Sequence, residues 1–510
     1  MTYQKLPYYD YLTTIMLLLF SFWLQHHVYF NWDASWHIEA AKRIVNGNAS
    51  YSKNLFDDNL PMVFWYFVPA VLLNHLTGIW VLTLSIASVL LSILLCVVLS
   101  DIYFRAMDTQ WVSKAIRYAL LISLLFFGSK EFAQRDMVVT TFVFPYIVLM
   151  TMQMTSITQE RALPILIGLL TAIGLAMNPF YGLIVLALET QLFLHTRKIT
   201  IYRPELITLV VSYCIYLCMI MVIYPDYFSE IIPSYLTFSP AVNAPLHDLL
   251  IQPQSMLVYY AALILFVFRL NKIHHPLLST LWISILACFL VFLINGKLFA
   301  GHVVFLTICL TLFFVVALCQ TIKLAKNASN YLIFIIPTLI PLGYLSVFSY
   351  AQYTEDYDYH HNTRTSIHRL MTYFNHQKSN STLLSLAPQE IPTLPMVLYT
   401  SLQNVTPWAD CWPLEALTQS DREQMMLPQW KKQRIQQYAT ILPDRIGHVL
   451  QTDKPDFILV NTKKNQSYFN NQPFNLIHFY EHSVLFQKNW RHYHLMKTIS
   501  HYEIYKRITL

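Results

Sequence analysis

Long apolar runs separated by short polar joints fill the first 350 residues, and this alternation limits the fold more than any other feature. An apolar run of about 17–25 residues can cross the hydrocarbon core of a bilayer as a helix. Backbone amides in that core must be paired within each segment, so the alternation predicts a helical bundle. The candidate spans are 11–30, 79–100, 117–128, 137–156, 162–178, 181–195, 206–224, 256–269, 276–294, 299–319 and 331–350.

The composition of the chain is that of a membrane protein. Charged residues make up 12% of it, whereas soluble domains carry about 25%. The formal net charge of +6 comes from residues that fall mainly at the joints, so it indicates topology rather than a nucleic-acid partner. The first run has no small-residue cleavage site before Asn31, and we interpret it as a retained span rather than a signal peptide.

Cysteine and histidine spacing predicts no metal site. Six of the seven cysteines lie in apolar runs, and no zinc-type pattern occurs. The histidine pairs at 26–27, 274–275 and 360–361 lack further ligands at a regular spacing. Cysteine usage therefore does not identify the redox compartment either.

The basic joints predict the orientation of the spans. Lysine and arginine concentrate in alternate joints, at 105–117, 161, 197–203, 269–272 and 323–326. The positive-inside tendency places these joints in the cytoplasm. The joints expected on the outer side are 31–61, 129–136, 225–255 and 295–298. A further span at 61–76 would invert everything after it, so we place that segment as a surface helix. The result is about eleven spans, with a cytoplasmic N-terminus.

Residues 351–510 are polar and contain no spanning segment. Short strands are predicted at 381–386, 396–400 and 456–460, a helix at 421–438, and a strand pair at 494–499 and 502–508. The expected organisation is a transmembrane domain, 1–350, followed by a small extracytoplasmic α/β domain, 351–510. For a bacterial inner-membrane protein, that domain would be periplasmic.

The first outer loop, 31–61, is rich in groups that could act in catalysis. Asp33 stands where the first span leaves the bilayer, and a short helix is predicted over 34–45. His37 lies four residues after Asp33, so the two share a face if the helix begins at Asp33. Lys53 follows after the turn. A solvated loop with a capping aspartate is the alternative for each residue alone.

Two further clusters fall on the same predicted side. The turn at 130–136 contains Lys130, Glu131, Gln134, Arg135 and Asp136. Charges between two spans are costly unless they are paired or face a wet cavity, so a functional site is the first interpretation. A snorkelling interfacial cluster is the alternative. The second cluster comprises Lys297 and His302, at the ends of neighbouring spans.

Several short motifs resemble those of the membrane-embedded GT-C glycosyltransferases, in particular the bacterial relatives of protein O-mannosyltransferases and of lipid A aminoarabinose transferase. They are Asp33 after the first span, Asn59-Leu60-Pro61-Met62, Glu131–Met137 followed by Phe144-Pro145-Tyr146, Gly296-Lys297 with His302, and Asn178-Pro179. The sequence departs from the family pattern at Asn178, where a basic residue is usual, and at Gly301, where an aromatic residue is usual.

The resemblance implies a polyprenyl-phosphate-linked sugar as donor, and a lipid, glycan or protein as acceptor, on the outer face of the membrane. Cations beside the leaving phosphate would stabilise its developing charge, and the candidates are Lys53, Arg135, Lys297 and His302. A single inverting displacement needs one base. Asp33 is the choice, with Glu131 and Asp136 as further catalytic candidates and His37 and Gln134 beside them. The sequence identifies no cofactor with certainty, and a divalent cation stays open.

Two other functions compete with this interpretation. A transporter or flippase of a lipid-linked or anionic substrate would also bury charges, but it should show midplane ionisable residues and paired broken helices. An O-antigen-type ligase or polymerase would use a similar lipid donor, but its large central loop is absent, since 225–255 is modest.

Overall fold

The computed structural model describes residues 8–107, 109–126, 130–155, 162–197, 202–239, 243–325, 332–389, 391–418, 427–463, 469 and 473–508. The helices are α1 (Tyr8–His27), α2 (Trp32–Val45), α3 (Met62–Trp65), α4 (Val68–Thr77), α5 (Val81–Met107), α6 (Gln110–Phe126), α7 (Arg135–Met154), α8 (Ala162–Met177), α9 (Gly182–Thr196), α10 (Pro204–Ile223), α11 (Ile232–Phe238), α12 (Leu246–Leu250), α13 (Pro253–Leu270), α14 (Pro276–Asn295), α15 (Val304–Ala325), α16 (Leu332–His361), α17 (Ser366–Asn375), α18 (Thr393–Tyr399), α19 (Trp412–Leu417), α20 (Gln429–Thr452), α21 (Leu476–Tyr480) and α22 (Val484–Trp490).

A helix occupies each predicted span: α1, α5 to α10 and α13 to α16. Within the described residues, seven helices are long and apolar enough to cross a membrane. The chain is therefore a polytopic α-helical membrane protein. The segment at 61–76 forms α3 and α4, which are shorter than the spans, and α4 ends at Gly78 with φ +70°. The segment is helical as predicted, and its position at the membrane surface stays a prediction.

Small and polar residues bring the helices together. A Cβ at Gly168 of α8 would overlap the backbone carbonyl of Glu205 in α10, so these two helices touch through their backbones. Arg203 pairs with Glu205 at 3.2 Å and also with Glu189 of α9. The Tyr146 hydroxyl of α7 donates to Glu189 at 2.5 Å. This polar cluster ties α7, α9 and α10 together.

The joints predicted on the outer side meet at one end of the bundle. Arg135, at the start of α7, reaches Asn59 of the first loop, with Nη1 to Oδ1 at 2.6 Å. The backbone N–H of Ala244 donates to the carbonyl of Gly296 at 2.7 Å, which joins the segment after α11 to the end of α14. The joints predicted on the outer side therefore lie at one end of the bundle, and the side of the membrane that this end faces stays a prediction.

A five-stranded sheet follows the last span. Its strands are β1 (Thr382–Leu386), β2 (Gln403–Asn404), β3 (Phe457–Asn461), β4 (Tyr493–Ile499) and β5 (Tyr502–Arg507), in the order β2-β1-β3-β5-β4. β1 runs parallel to β2 and β3, whereas β5 is antiparallel to β3 and β4. The Arg43 guanidinium of α2 donates to the carbonyls of Asn404 and Thr406, each at 2.9 Å, so this region packs at the same end as the first loop.

Four of the strand predictions are confirmed, and one is wrong. Residues 396–400 lie in and just after helix α18, because a short apolar run does not distinguish a buried strand from a buried helix. The helix predicted at 421–438 begins at Gln429 in the structure and continues to Thr452; residues 421–426 lie outside the described part of the chain.

Candidate active site

Asn31 sets the start of α2 and thereby the position of Asp33. Its Oδ1 accepts a hydrogen bond from the backbone N–H of Ala34 at 2.8 Å, which caps the helix. Its Nδ2 donates to the carbonyl of Lys130, so the first loop is fixed to the turn at 130–136. His37 follows Asp33 by one helical turn, and His37 Nε2 lies 3.3 Å from Asp33 Oδ1. The shared face predicted for this pair is confirmed.

His37 is completely buried between charged groups. Burial lowers the pKa of its imidazole from the ordinary 6.5, which favours the neutral ring at neutral pH. Neither ring nitrogen makes a hydrogen bond to the described residues, and the ring lies against Phe64 and Phe67. His37 is therefore a neutral neighbour of Asp33 rather than a second charge in the site.

A tight turn holds Glu131 in the protein interior. Ala133 adopts φ +68°, a conformation that non-glycine residues rarely adopt, and the backbone N–H of Gln134 donates to the carbonyl of Glu131 at 3.1 Å. Burial, together with the nearby charges of Asp33 and Asp356, raises the pKa of Glu131 to about 8. Glu131 is therefore protonated at neutral pH and is not a ready base.

Asp136 accepts hydrogen bonds from three side chains. Asn178 Nδ2 donates to its Oδ1 at 2.8 Å, Arg135 Nε to the same oxygen at 3.2 Å, and His302 Nδ1 to its Oδ2 at 3.0 Å. Asp136 is 1% exposed. Because these bonds engage both carboxylate oxygens, they favour a role in positioning Arg135 and His302 over direct proton transfer.

A chain of hydrogen bonds from the first loop fixes Arg135 from the opposite direction. Asn59 accepts from Arg135 Nη1, and its own backbone N–H donates to Asp57 Oδ1 at 2.6 Å. Asp57 Oδ2 accepts from Trp36 Nε1 at 2.5 Å. Burial, reinforced by the charge of Asp58, raises the pKa of Asp57 to about 7. Trp36, on α2, thus helps to set the direction of Arg135.

Three of the four predicted phosphate-binding cations line one cavity of about 200 Å³. Arg135 and His302 reach it from the amino-terminal ends of α7 and α15, and Lys297 reaches it from the loop after α14. Lys297 makes no ion pair with the described residues, and its Nζ lies over the ring of Tyr235 at 5.4 Å. The Asn295 Nδ2, also in the lining, is buried and makes no hydrogen bond to the described residues. This donor-rich space suits an anion.

The remaining predicted site residues lie outside this lining. Lys53 is exposed on a turn of the first loop, and the structure does not bring it to the cavity. Asp33 and Glu131 lie close to each other but do not line the cavity. The Gln134 side chain packs against Gly301, where a Cβ would overlap the Gln134 amide. Packing against Gln134 therefore explains why position 301 is a glycine, where the family usually has an aromatic residue.

Several residues of the site are not among the predicted catalytic or phosphate-binding residues. Asp58, Asn295 and Tyr235 line the cavity, and Asp356 on α16 approaches Glu131 across the bundle. Each belongs to an element whose neighbours are fixed only by the fold. In the described part of the chain, no group of three or more histidine, cysteine, aspartate or glutamate side chains is arranged to hold a metal ion.

Comparison with solved structures identifies the architecture. ArnT from Cupriavidus metallidurans bound to undecaprenyl phosphate is similar over 98% of both chains, with a TM-score of 0.56 and 12% identity. The chain therefore has the same fold as ArnT. The Archaeoglobus fulgidus oligosaccharyltransferase in its apo form matches 94% of this chain and 72% of its own, with a TM-score of 0.46 and 10% identity. No protein-family model and no curated protein matches the sequence.

Proposed function

We propose that this protein transfers a sugar from a polyprenyl-phosphate donor to a lipid, glycan or protein acceptor. The observation that carries the proposal is the cavity where Arg135, Lys297 and His302 converge at one end of a GT-C bundle. A solved protein of this fold is bound to undecaprenyl phosphate. An anionic lipid headgroup at the end of the spans would supply an ion-pair partner for Lys297, which pairs with no carboxylate among the described residues.

The three cations would act on the phosphate as the glycosidic bond breaks. Cleavage leaves the bonding electron pair on the phosphate oxygen, so negative charge grows there in the transition state. Arg135 is oriented beforehand by Asp136 and Asn59, and this orientation reduces the reorganisation needed during reaction. With both ring nitrogens protonated, His302 would donate to Asp136 through Nδ1 and to the phosphate through Nε2.

Asp33 would act as the base. In a single displacement the acceptor hydroxyl oxygen attacks the anomeric carbon, its proton passes to a carboxylate, and the polyprenyl phosphate departs, with inversion at that carbon. Asp33 is partly exposed, with 24% of its side chain accessible, so an acceptor can reach it. Glu131, protonated at neutral pH, would donate a hydrogen bond instead.

The transporter alternative has less support. The site clusters at one end of the bundle, and a solved structure of the same fold is that of ArnT bound to undecaprenyl phosphate. We place this end, with the C-terminal sheet, on the periplasmic side of a bacterial inner membrane, because the basic joints lie at the other end.

The test compares Arg135→Gln and Lys297→Gln with the wild type in proteoliposomes that contain a panel of polyprenyl-phosphate sugars. Lipid mass loss measures donor turnover. A charged hydrogen bond contributes about 1.5–3 kcal/mol, so each change should weaken donor binding and turnover by about 10- to 100-fold. Lys488→Gln, an exposed lysine of the C-terminal region, is the matched control. Unchanged donor affinity in both cavity variants would refute the proposed binding site.

A further inference from the structure

One wall of the cavity belongs to the helical segment that follows α10. This segment begins with a π-helical turn, Tyr227–Ile231, and continues as α11. Tyr227, Ile231 and Tyr235, spaced four residues apart, line the cavity. Residues at this spacing form a row on one face of a helix. A shift of the segment therefore moves this wall of the cavity.

The neighbouring row of the same segment is held by α20 of the C-terminal region. Arg445 Nη2 donates to Glu230 Oε1 at 2.8 Å. One turn further along, the hydroxyls of Ser234 and Tyr438 lie 2.6 Å apart, and both residues are buried. The ring of Phe238 meets that of Tyr438 edge-on, with 4.9 Å between centroids. A polar and an aromatic contact thus hold this row along its length.

The same helix also contacts the first loop. Arg445 Cζ lies 4.7 Å from the ring centroid of Phe56, and Phe56 stacks on Trp412 of α19 at 5.0 Å. The backbone N–H of Phe56 donates to the carbonyl of Pro407 at 2.9 Å. Phe56 precedes Asp58, which lines the cavity, by two residues. Arg445 therefore contacts both segments that close this side of the cavity.

The last contact in this series joins the wall of the cavity to Lys297. Lys297 Nζ lies over the ring of Tyr235, and Tyr235 neighbours Ser234 in the chain. A shift of α11 away from α20 would carry the Tyr235 ring with it and remove the nearer of two aromatic rings, Tyr235 and Phe299, against which the Lys297 ammonium rests. Lys297 makes no ion pair with the described residues that could hold it in place.

We propose that Arg445 and Tyr438 are positioning residues through which the C-terminal region sets the geometry of the anion cavity. They touch neither the cavity nor its occupant, and act through Glu230, Ser234 and the wall that these residues carry. The inference rests on the proposed function, since it takes a polyprenyl phosphate as the occupant of the cavity. It gives the C-terminal sheet region a part in donor binding.

The experiment measures the affinity of the purified, full-length protein for undecaprenyl phosphate in detergent. Arg445→Gln should weaken binding by about 3- to 30-fold, the usual range for a residue that acts through a packed neighbour. Arg445→Lys, which keeps the charge, should restore part of the affinity. Arg491→Gln, the same change at an exposed position of this region, should bind as the wild type does. A residue needed only for stability would lower the melting temperature but leave the affinity of the folded protein unchanged.

Tyr438→Phe covers the case in which Arg445→Gln does not fold, because it keeps the packed ring and removes only the hydroxyl on Ser234. A measurable loss of affinity in this variant supports the proposal. Wild-type affinity in the folded Arg445→Gln and Tyr438→Phe proteins overturns it and leaves the proposed function intact. A wild-type protein that does not bind undecaprenyl phosphate refutes the proposed function instead.

Discussion

Replacing Glu131 by glutamine should make the protein more stable, and the gain should depend on pH. Glu131 is buried beside Asp33 and Asp356, and these surroundings raise its pKa from 4.5 to about 8. Glutamine keeps the size of the side chain and cannot ionise. The variant therefore removes the cost of ionising a carboxyl group in the interior while leaving the packing in place.

The sign follows from proton binding. Between pH 4.5 and about 8, the folded state keeps the Glu131 proton and the unfolded state has lost it. Raising the pH through this window therefore lowers the free energy of unfolding of the wild type. Each pKa unit corresponds to about 1.4 kcal/mol, so the upper limit of the effect is about 5 kcal/mol. The advantage of Glu131→Gln should appear above pH 5, grow to about pH 8, and then stay constant.

Thermal unfolding of the detergent-solubilised protein, measured from pH 5 to pH 9, provides the assay. The quantity of interest is the difference between variant and wild type at each pH, because Asp57, with its own raised pKa, contributes to both proteins. Asp444→Asn, an exposed carboxyl-to-amide change, should show no growing difference. If the stability difference between Glu131→Gln and the wild type stayed constant or shrank as the pH rose, Glu131 would be ionised in the folded protein and the reasoning would fail.

Three further predictions concern the base, the bundle and the topology. Asp33→Asn should reduce sugar transfer by about 10²–10⁴-fold at matched expression; a loss below about tenfold would leave Asp33 as a helix-start residue. Gly168→Ala should destabilise the bundle by about 1–3 kcal/mol or more, because its Cβ would meet backbone, whereas Gly182→Ala, with open space around it, should melt like the wild type. Cysteines introduced at the exposed Asn48 and Arg491 should both react with an impermeant thiol reagent added to intact cells; labelling of only one would contradict the shared side.

The membrane part of the fold could be predicted because its signal is local. Each apolar run specifies a helix by its own length and composition, and the basic joints specify which ends lie together. The C-terminal region shows where local information ends. Residues 382–386 and 396–399 are both short and apolar, yet one is β1 and the other lies in α18. Which of the two segments becomes a strand and which a helix depends on the elements that each packs against, and the sequence pattern does not identify those elements.

The residues of the site also divide into those that can be predicted from the sequence and those that cannot. Arg135, Lys297 and His302 were predicted individually as charged groups at span ends, and the fold places them around one cavity. Asn59 carries no charge, and nothing in the sequence connects it with Arg135, which lies 76 positions later. Lys53 resembles the other cations in sequence, but it is exposed on its turn and does not line the cavity. The charge of a side chain can be read from the sequence, whereas the distance between two side chains depends on the fold.

The absence of an ion pair between Lys297 and the described residues bears on which step of the reaction limits turnover. A sugar-linked polyprenyl phosphate is a diester with a single negative charge, whereas the released lipid is a monoester with a charge of about −1.5 to −2 at neutral pH. Under the proposed function, a cavity with Arg135, Lys297 and His302 in its lining would hold the spent carrier more tightly than the loaded one. Product release would then set the rate, and the supply of fresh donor would compete with the returning lipid for the same place.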